Sequence, residues 1–306
     1  MERTRLGSST LEVSRVGLGC NNFGRRLDLS ATRAVLDAAI DVGITFLDTA
    51  DIYGSGESER FIGEALAGRW HEVVLATKFG NDMQGANGDA PRGSRTYLRR
   101  ALDASLARLG RDHVDLYYYH RPDGVTPLAE TLGAMAELVS EGKVRWLGLS
   151  NVDAAQLREA VALTAAGGPP VVAVQNHFSL LRRDDEADVL PLALEHRIGY
   201  IPYFPLESGL LTGKYRRGAA APEGARLSGT RDGRLSDERL ARVEALEAFA
   251  VARGFTLLEL AISGLASMPG IVSVISGATS PEQVRANAAA GSRHLIEAEL
   301  AELELL

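Results

Sequence analysis

The chain has 306 residues, 45% apolar and 24% charged, with a net charge of −7 and a single cysteine, Cys20. The acidic balance argues against nucleic acid as a main partner, since a polyanion calls for a basic face, and one cysteine excludes an internal disulfide framework and points to a reducing compartment. The opening MERTRLGSSTLEV has no apolar run, and none later is long enough to span a membrane, so a soluble, cytoplasmic protein without a membrane partner is expected.

In chain order, Arg3–Leu6 and Leu11–Val13, joined through Gly7, Ser8 and Ser9, read as a β-hairpin. A unit then repeats: a short apolar, β-branched run, a turn, and a segment of helical period. The strand runs are Val16–Gly19, Thr45–Ala50, Val73–Lys78, Val114–His120, Val144–Ser150, Val171–Phe178, Gly199–Pro205 and Ile271–Gly277. Several are apolar nearly throughout, as strands of a parallel sheet covered on both faces are. Between them, Ser94 and Gly110 bracket a helix with Leu98, Ala101, Leu102, Ser105 and Leu109 on one face. Thr126 with Pro127 at the first position opens another, closed by Gly142. Thr256 with Glu259 and Ser280 with Gln283 have capping-box spacing. Strand–helix units in this number predict a (β/α)8 TIM barrel as one domain over residues 1–306, with the hairpin closing its bottom. A doubly wound open sheet is the alternative, but no GxGxxG follows the first strand. Two long stretches, Gly80–Gly93 and Leu206–Arg234, follow strands and so belong to the catalytic face.

Barrel chemistry sits at the C-terminal ends of the strands, and here those ends are polar. Asp48, Lys78, His120, Ser150 with Asn151, and Gln175 with Asn176 stand there; Tyr203 lies near the end of the seventh strand and Tyr53 just past Asp48. Each alone has a structural reading: a capping aspartate, a solvated lysine, a core histidine. Together they suggest more. A tyrosine of ordinary pKa near ~10 is a poor acid at neutral pH; a nearby ammonium lowers that value, and a carboxylate holds the ammonium in place. A histidine donates to a carbonyl oxygen as charge develops on it. The six histidines fall at no HxxH or HxH spacing, so no metal is expected. The set suits reduction of a carbonyl by a hydride carrier, and residue types alone go no further.

These residues stand in stretches that resemble the aldo-keto reductase family. FLDTADIYGSGESERFIGEAL from Phe46 is similar to the motif carrying the family's aspartate and tyrosine, here Asp48 and Tyr53; VVLATKFG resembles the strand ending in its lysine, Lys78; and SLARLGRDHVDLYYYHRPD the segment ending in its histidine, His120. GLSN and VQN resemble the segments that hold the nicotinamide carboxamide through Ser150, Asn151 and Gln175. YFPLESGLLTGKY resembles the loop whose first tyrosine, Tyr203, stacks on the nicotinamide, and SVISGATSPEQVRAN the segment over the adenosine half. The matches run in order from Gly17 to Asn287. The resemblance implies reduction of an aldehyde or ketone with NADPH. Tyr53 would be the proton donor with its pKa depressed by Lys78, Asp48 would pair with Lys78, and His120 would orient the carbonyl. It further implies cofactor contacts from Gly19, Cys20, Asn21, Asp48, Phe204, Pro205, Leu206, Ser208, Gly209, Leu210, Lys214, Gly277, Thr279, Gln283 and Asn287. Asn22 and Phe23 would line the substrate side with Tyr53 and His120.

The sequence also departs from the family pattern. Where the best-known members hold the 2′-phosphate with Lys-Ser and Arg, this chain has Gly277, Ala278 and Gln283; Lys214, Arg216, Arg217, Thr279 and Arg285 are the candidate replacements, and NADPH is expected over NADH. The family tryptophan after the first strand is absent. His120 is kept, which argues against the C=C reductase branch. Arg92, Arg95 and Arg121 are candidates to receive an anionic substrate, with solvated arginines as the plainer reading. Two alternatives stand beside the reductase: an NAD(P)+-dependent sugar or alcohol dehydrogenase, and a cofactor-sensing regulatory subunit. The sequence leaves the natural substrate and the oligomeric state open.

Overall fold

The computed structural model describes residues 1–228 and 233–305. Eight parallel strands close into a barrel: β3 (Val16–Gly19), β4 (Phe46–Asp48), β5 (Val74–Phe79), β6 (Val114–Tyr119), β7 (Val144–Ser150), β8 (Val171–His177), β9 (Gly199–Tyr203) and β10 (Val274–Gly277), with β10 pairing back onto β3. Ahead of them β1 (Arg3–Arg5) and β2 (Glu12–Ser14) form an antiparallel hairpin. This is the (β/α)8 barrel and the hairpin expected above, with strand ends shifted by a few residues.

Each barrel strand is followed by a helix: α1 (Leu29–Asp41), α2 (Glu57–Ala65), α3 (Arg95–Leu109), α4 (Leu128–Ser140), α5 (Ala154–Ala165) and α6 (Val189–Glu195) after β3 to β8 in turn. After β9 come α7 (Asp237–Ala252) and α8 (Leu257–Ala266), and α9 (Pro281–Ala290) and α10 (Glu297–Glu304) follow β10. The sequence reading left α7 and α10 unassigned. Ser94 caps α3 and Gly110 ends it in the left-handed conformation, while Thr256 and Glu259 form a complete capping box on α8. Two start signals differ from expectation. Pro127, not Thr126, is the cap residue of α4, because the Thr126 hydroxyl turns back to Asp123. At α9 only half a box forms: the Ser280 hydroxyl accepts from the Gln283 N–H, but the Gln283 carbonyl accepts from the Thr279 N–H and hydroxyl instead.

The core has two compartments. The larger lies between strands and helices. The smaller fills the barrel itself with Phe46, Ala76, Leu116, Tyr118, Ala173, Ile201 and Ile275, and the hairpin region adds Leu6, Leu11 and Val13 from below. Strand alternation carries that inward parity to the other end of the barrel. Two residues past Phe46 is Asp48, past Ala76 is Lys78, past Tyr118 is His120, past Ala173 is Gln175, past Ile201 is Tyr203, and past Ile275 is Gly277. Gly148 leaves room for the Tyr118 ring, since a Cβ there would stand 2.3 Å from Tyr118 Cε1. The hydrophobic pattern that fills the barrel thereby also aims its polar residues at one mouth.

Candidate functional site

At that mouth opens a cleft of about 720 Å3. In its floor Lys78, with no exposed side-chain surface, donates from Nζ to Asp48 Oδ2 at 2.6 Å and to the Thr49 carbonyl at 2.9 Å. The same Nζ lies 3.5 Å from the Tyr53 hydroxyl and 5.1 Å from the centre of the Tyr53 ring. Gln175 Nε2 donates to the other carboxylate oxygen of Asp48 at 2.8 Å. A buried charge pair of this kind is tolerable only when its remaining hydrogen-bonding capacity is met, and here it is. Tyr53 begins a short turn after β4, and the turn is anchored by the Asp51 N–H on the Lys78 carbonyl at 3.1 Å.

His120 stands across from Tyr53, ring centroids 6.0 Å apart and edge to face. Its Nδ1 lies 2.6 Å from Asn81 Nδ2. The amide donates there, which leaves the ring proton of a neutral imidazole on Nε2. Burial holds the His120 pKa well below the usual histidine value, and the positive charges of Lys78 and Arg121 add to that. The tyrosine goes against expectation. Burial, with the Asp48 carboxylate second, pushes the Tyr53 pKa well above 10 instead of depressing it. Desolvating a phenolate outweighs an ammonium 3.5 Å away that is already committed to Asp48. Tyr53 therefore keeps its proton near neutral pH.

The wall behind is built by β7, β8 and β9. Asn151, at φ 55°, donates from Nδ2 to the His120 carbonyl at 2.8 Å and accepts the Tyr203 hydroxyl on Oδ1 at 2.6 Å. Tyr203 stacks on His177 with centroids 5.4 Å apart. His177 Nε2 in turn meets Glu207 Oε1 at 2.7 Å, and Glu207 Oε2 accepts from Arg239 of α7 at 2.8 Å. This chain of contacts holds the loop after β9, where Phe204, Glu207, Ser208 and Gly209 all have positive φ. Within the loop, Lys214 and Arg226 line the cleft. Burial and the repulsion of Arg26, Arg25 and Arg234 lower the Arg226 pKa.

Of the residues expected at the cofactor, Gly19, Asn21, Asp48, Asn151, Gln175, Tyr203, Phe204, Pro205, Leu206, Ser208, Gly209, Lys214, Gly277, Thr279, Gln283 and Asn287 line this cleft, as do Asn22, Tyr53 and His120 from the substrate set. Four others are placed elsewhere. Phe23 and Leu210 are buried in the outer core. Cys20 is buried with its N–H on the Asp48 carbonyl and its own carbonyl on the Ser58 hydroxyl, and burial pushes its thiol pKa up. Ser150 is fully buried, its hydroxyl accepting from Asn151. The proposed phosphate partners also divide. Arg216 pairs with Glu247 and Arg217 with Glu244 at 2.6 Å, both on α7, and Arg285 is exposed off the wall, whereas Lys214 and Thr279 remain on it. Arg95 is spent on Glu137 at 2.7 Å, and Arg92 does not reach the cleft. Of the Leu206–Arg234 stretch, residues 229–232 lie outside the described residues.

Asn81, Arg26, Arg226, His177 and Glu207 were missed by the sequence reading. All lie in or next to loops after strand ends, where sequence period gives no orientation. Asp51 is another: buried, with neither carboxylate oxygen partnered among the described residues, and pushed up to about 8 by burial and by Glu59. Among the described residues no group of three or more His, Cys, Asp or Glu could hold a metal ion.

Comparison with known proteins agrees with this geometry. The profile of the Aldo/keto reductase family matches residues 15–306. An uncharacterized oxidoreductase of Bacillus subtilis, YqkF, is 35% identical over 306 residues, covering 99% of this chain and 96% of the relative. Proteins described as probable voltage-gated potassium channel subunit beta, from Arabidopsis thaliana and Oryza sativa subsp. japonica, are each 36% identical and cover 94% of this chain and 90% of their own lengths.

Proposed function

Because this chain belongs to the aldo/keto reductase family, and with it to the NAD(P)H-dependent oxidoreductases, we propose that it reduces an aldehyde or ketone to the alcohol with NADPH, Tyr53 giving the proton. The observation that carries this reading is the single lysine, Lys78, set between the Asp48 carboxylate and the Tyr53 hydroxyl at the inward end of the barrel.

The mouth suits such a cofactor by its donor set. Tyr203 offers an aromatic shelf, Gln175 and Asn151 offer amides beside it, and Lys214 and Arg226 supply cations along the loop after β9. Gln175 Nε2 is held by Asp48, so its carbonyl is left to accept from a carboxamide. Asn151 would exchange its Tyr203 bond for one to the cofactor. Bound there, the nicotinamide supplies the hydride that reduces the carbonyl carbon.

The remaining work falls to the protein. Tyr53, kept protonated by burial, donates to the carbonyl oxygen, and the resulting phenolate finds Lys78 Nζ beside it. His120, neutral and protonated on Nε2, donates to the same oxygen as charge gathers on it. A positioned acid contributes about 10²–10⁴-fold, and preorganised donors supply several kcal/mol more, ~3 for each well-aimed group. We favour NADPH over NADH because Lys214, Arg226 and Arg26 give the cleft more positive charge than a pyrophosphate alone requires. Fluorescence titration with both cofactors, followed by turnover of 4-nitrobenzaldehyde, tests the reading. Tighter NADPH binding with turnover supports it; equal affinity removes the cofactor preference, and no turnover with any carbonyl removes the reductase.

The relatives described as channel subunits favour one second reading, a regulatory subunit that senses its cofactor. Tight NADPH binding without turnover of aldehydes, or of alcohols with NADP+, would select it.

A further inference from the structure

The charge on the wall of the mouth is one-sided. Among the described residues four cations line it, Arg26, Arg121, Lys214 and Arg226, against one carboxylate, Asp48, which Lys78 neutralises from below at 2.6 Å. A chain of net charge −7 thus concentrates positive charge in its cleft, and such a cleft draws anions.

The four divide by position. Arg26 follows β3, Lys214 and Arg226 follow β9, and Arg26 and Arg226 are near enough to repel one another. These three are the phosphate partners of the reading above. Arg121 stands apart. It is the residue after His120, on the loop leaving β6, and its charge acts on both the His120 ring and the Tyr203 hydroxyl. Its place one residue past His120, on the cleft wall that also carries Tyr53 and Asn81, sets it at the end where the carbonyl would be reduced. Its side chain has no ion pair or hydrogen bond among the described residues, and it is exposed to the cleft. The two other cations acting on Tyr203 are by contrast occupied: Arg182 lies 3.3 Å from Asp184 and 3.2 Å from His177 Nδ1, and Lys78 is paired with Asp48.

An arginine beside the reacting centre with no carboxylate of its own is a vacant anion partner, and its planar fork matches a carboxylate with two parallel hydrogen bonds. We propose that Arg121 is the specificity-determining residue of this site and receives the carboxylate of the substrate, which is therefore an aldehyde or ketone bearing an acid group. This rests on the carbonyl-reductase reading. The carbonyl oxygen meets Tyr53 and His120 while the acid reaches the next residue along the same loop.

The test compares kcat/KM for 4-carboxybenzaldehyde with that for 4-nitrobenzaldehyde, a neutral molecule of nearly the same shape, in the full-length protein and in Arg121→Gln and Arg121→Lys. The ratio of the two should fall about tenfold in Arg121→Gln, the loss of one charge-assisted contact. It should recover in part in Arg121→Lys, and shrink with added salt in the unsubstituted protein. A ratio within about twofold of the original in Arg121→Gln overturns the proposal. If neither aldehyde is reduced, the reductase reading fails, and calorimetric binding of 4-carboxybenzyl alcohol, with and without NADPH, decides the anion site separately. Binding lost in Arg121→Gln upholds it; binding unchanged overturns it.

Discussion

Replacing Lys78 with methionine removes one charge from the floor of the mouth and leaves the chain stem in place. Lys78 is unexposed and Asp48 only 3% exposed, so the carboxylate is left in the barrel without its counter-charge, keeping only the Gln175 N–H at 2.8 Å. Breaking a buried pair from one side costs about 3–5 kcal/mol. At ~2–4 °C per kcal/mol for a domain of this class, the melting temperature should fall by about 6–20 °C. The double variant Lys78→Met with Asp48→Asn removes both charges and still leaves an amide oxygen for Gln175. It should regain most of that loss, to within about 2 kcal/mol of the original protein, because neutralising a buried pair together is far milder than halving it. Neither variant should turn over, since neither keeps an ammonium beside the Tyr53 hydroxyl. Urea unfolding near neutral pH, with calorimetric melting as a second probe, measures the cycle. A single substitution costing under about 1 kcal/mol, or a double variant as costly as the sum of the singles, refutes the mutual compensation argued here.

Three further outcomes are expected. Asn81→Leu leaves His120 Nδ1 without its donor and should lower kcat/KM about tenfold, the equivalent of ~1.4 kcal/mol; unchanged kinetics would contradict the role of Asn81. Gly148→Ala drives a methyl into the Tyr118 ring, 2.3 Å from Cε1, and should destabilise by about 1–3 kcal/mol in the same unfolding assay, where a neutral result would refute the packing. Asp51 titrates at about 8 in the fold and near ~3.8 when unfolded, so the folded state holds the extra proton between those values and stability falls as pH rises through that window. Asp51→Asn should flatten the decline by at most about 1.4 kcal/mol per pH unit; parallel slopes in the two proteins would show that the carboxyl is not buried unpartnered.

The barrel was legible because its signal is repeated and its rule is strict. Gly19, Asp48, Lys78, His120, Gln175, Tyr203 and Gly277 end inward-facing rows, and alternation alone commits them to the mouth once strands such as Phe46–Asp48 and Val74–Phe79 are placed. What followed the strands was harder. Cys20 and Phe23, one and four residues past β3, turn away because the loop there returns its backbone to Asp48 and Ser58, and no periodicity announces such a turn. Arg216 and Arg217 looked as available as Lys214 until α7 supplied Glu247 and Glu244, partners some thirty residues away in sequence. The direction of the Tyr53 pKa is hidden from the sequence for a related reason. A sequence shows which charge is near but not how much water has been removed, and here the removal dominates.

The measurement closest to the central claim is transfer of label from NADPH carrying deuterium at both nicotinamide C4 positions into the alcohol formed from 4-nitrobenzaldehyde, run with the unsubstituted protein and with Tyr53→Phe. The account predicts deuterated alcohol from the former, and from the latter NADPH affinity within about twofold but a rate about 10²–10⁴ lower. Unlabelled alcohol, or a Tyr53→Phe variant that reduces the aldehyde at nearly the original rate, would contradict it.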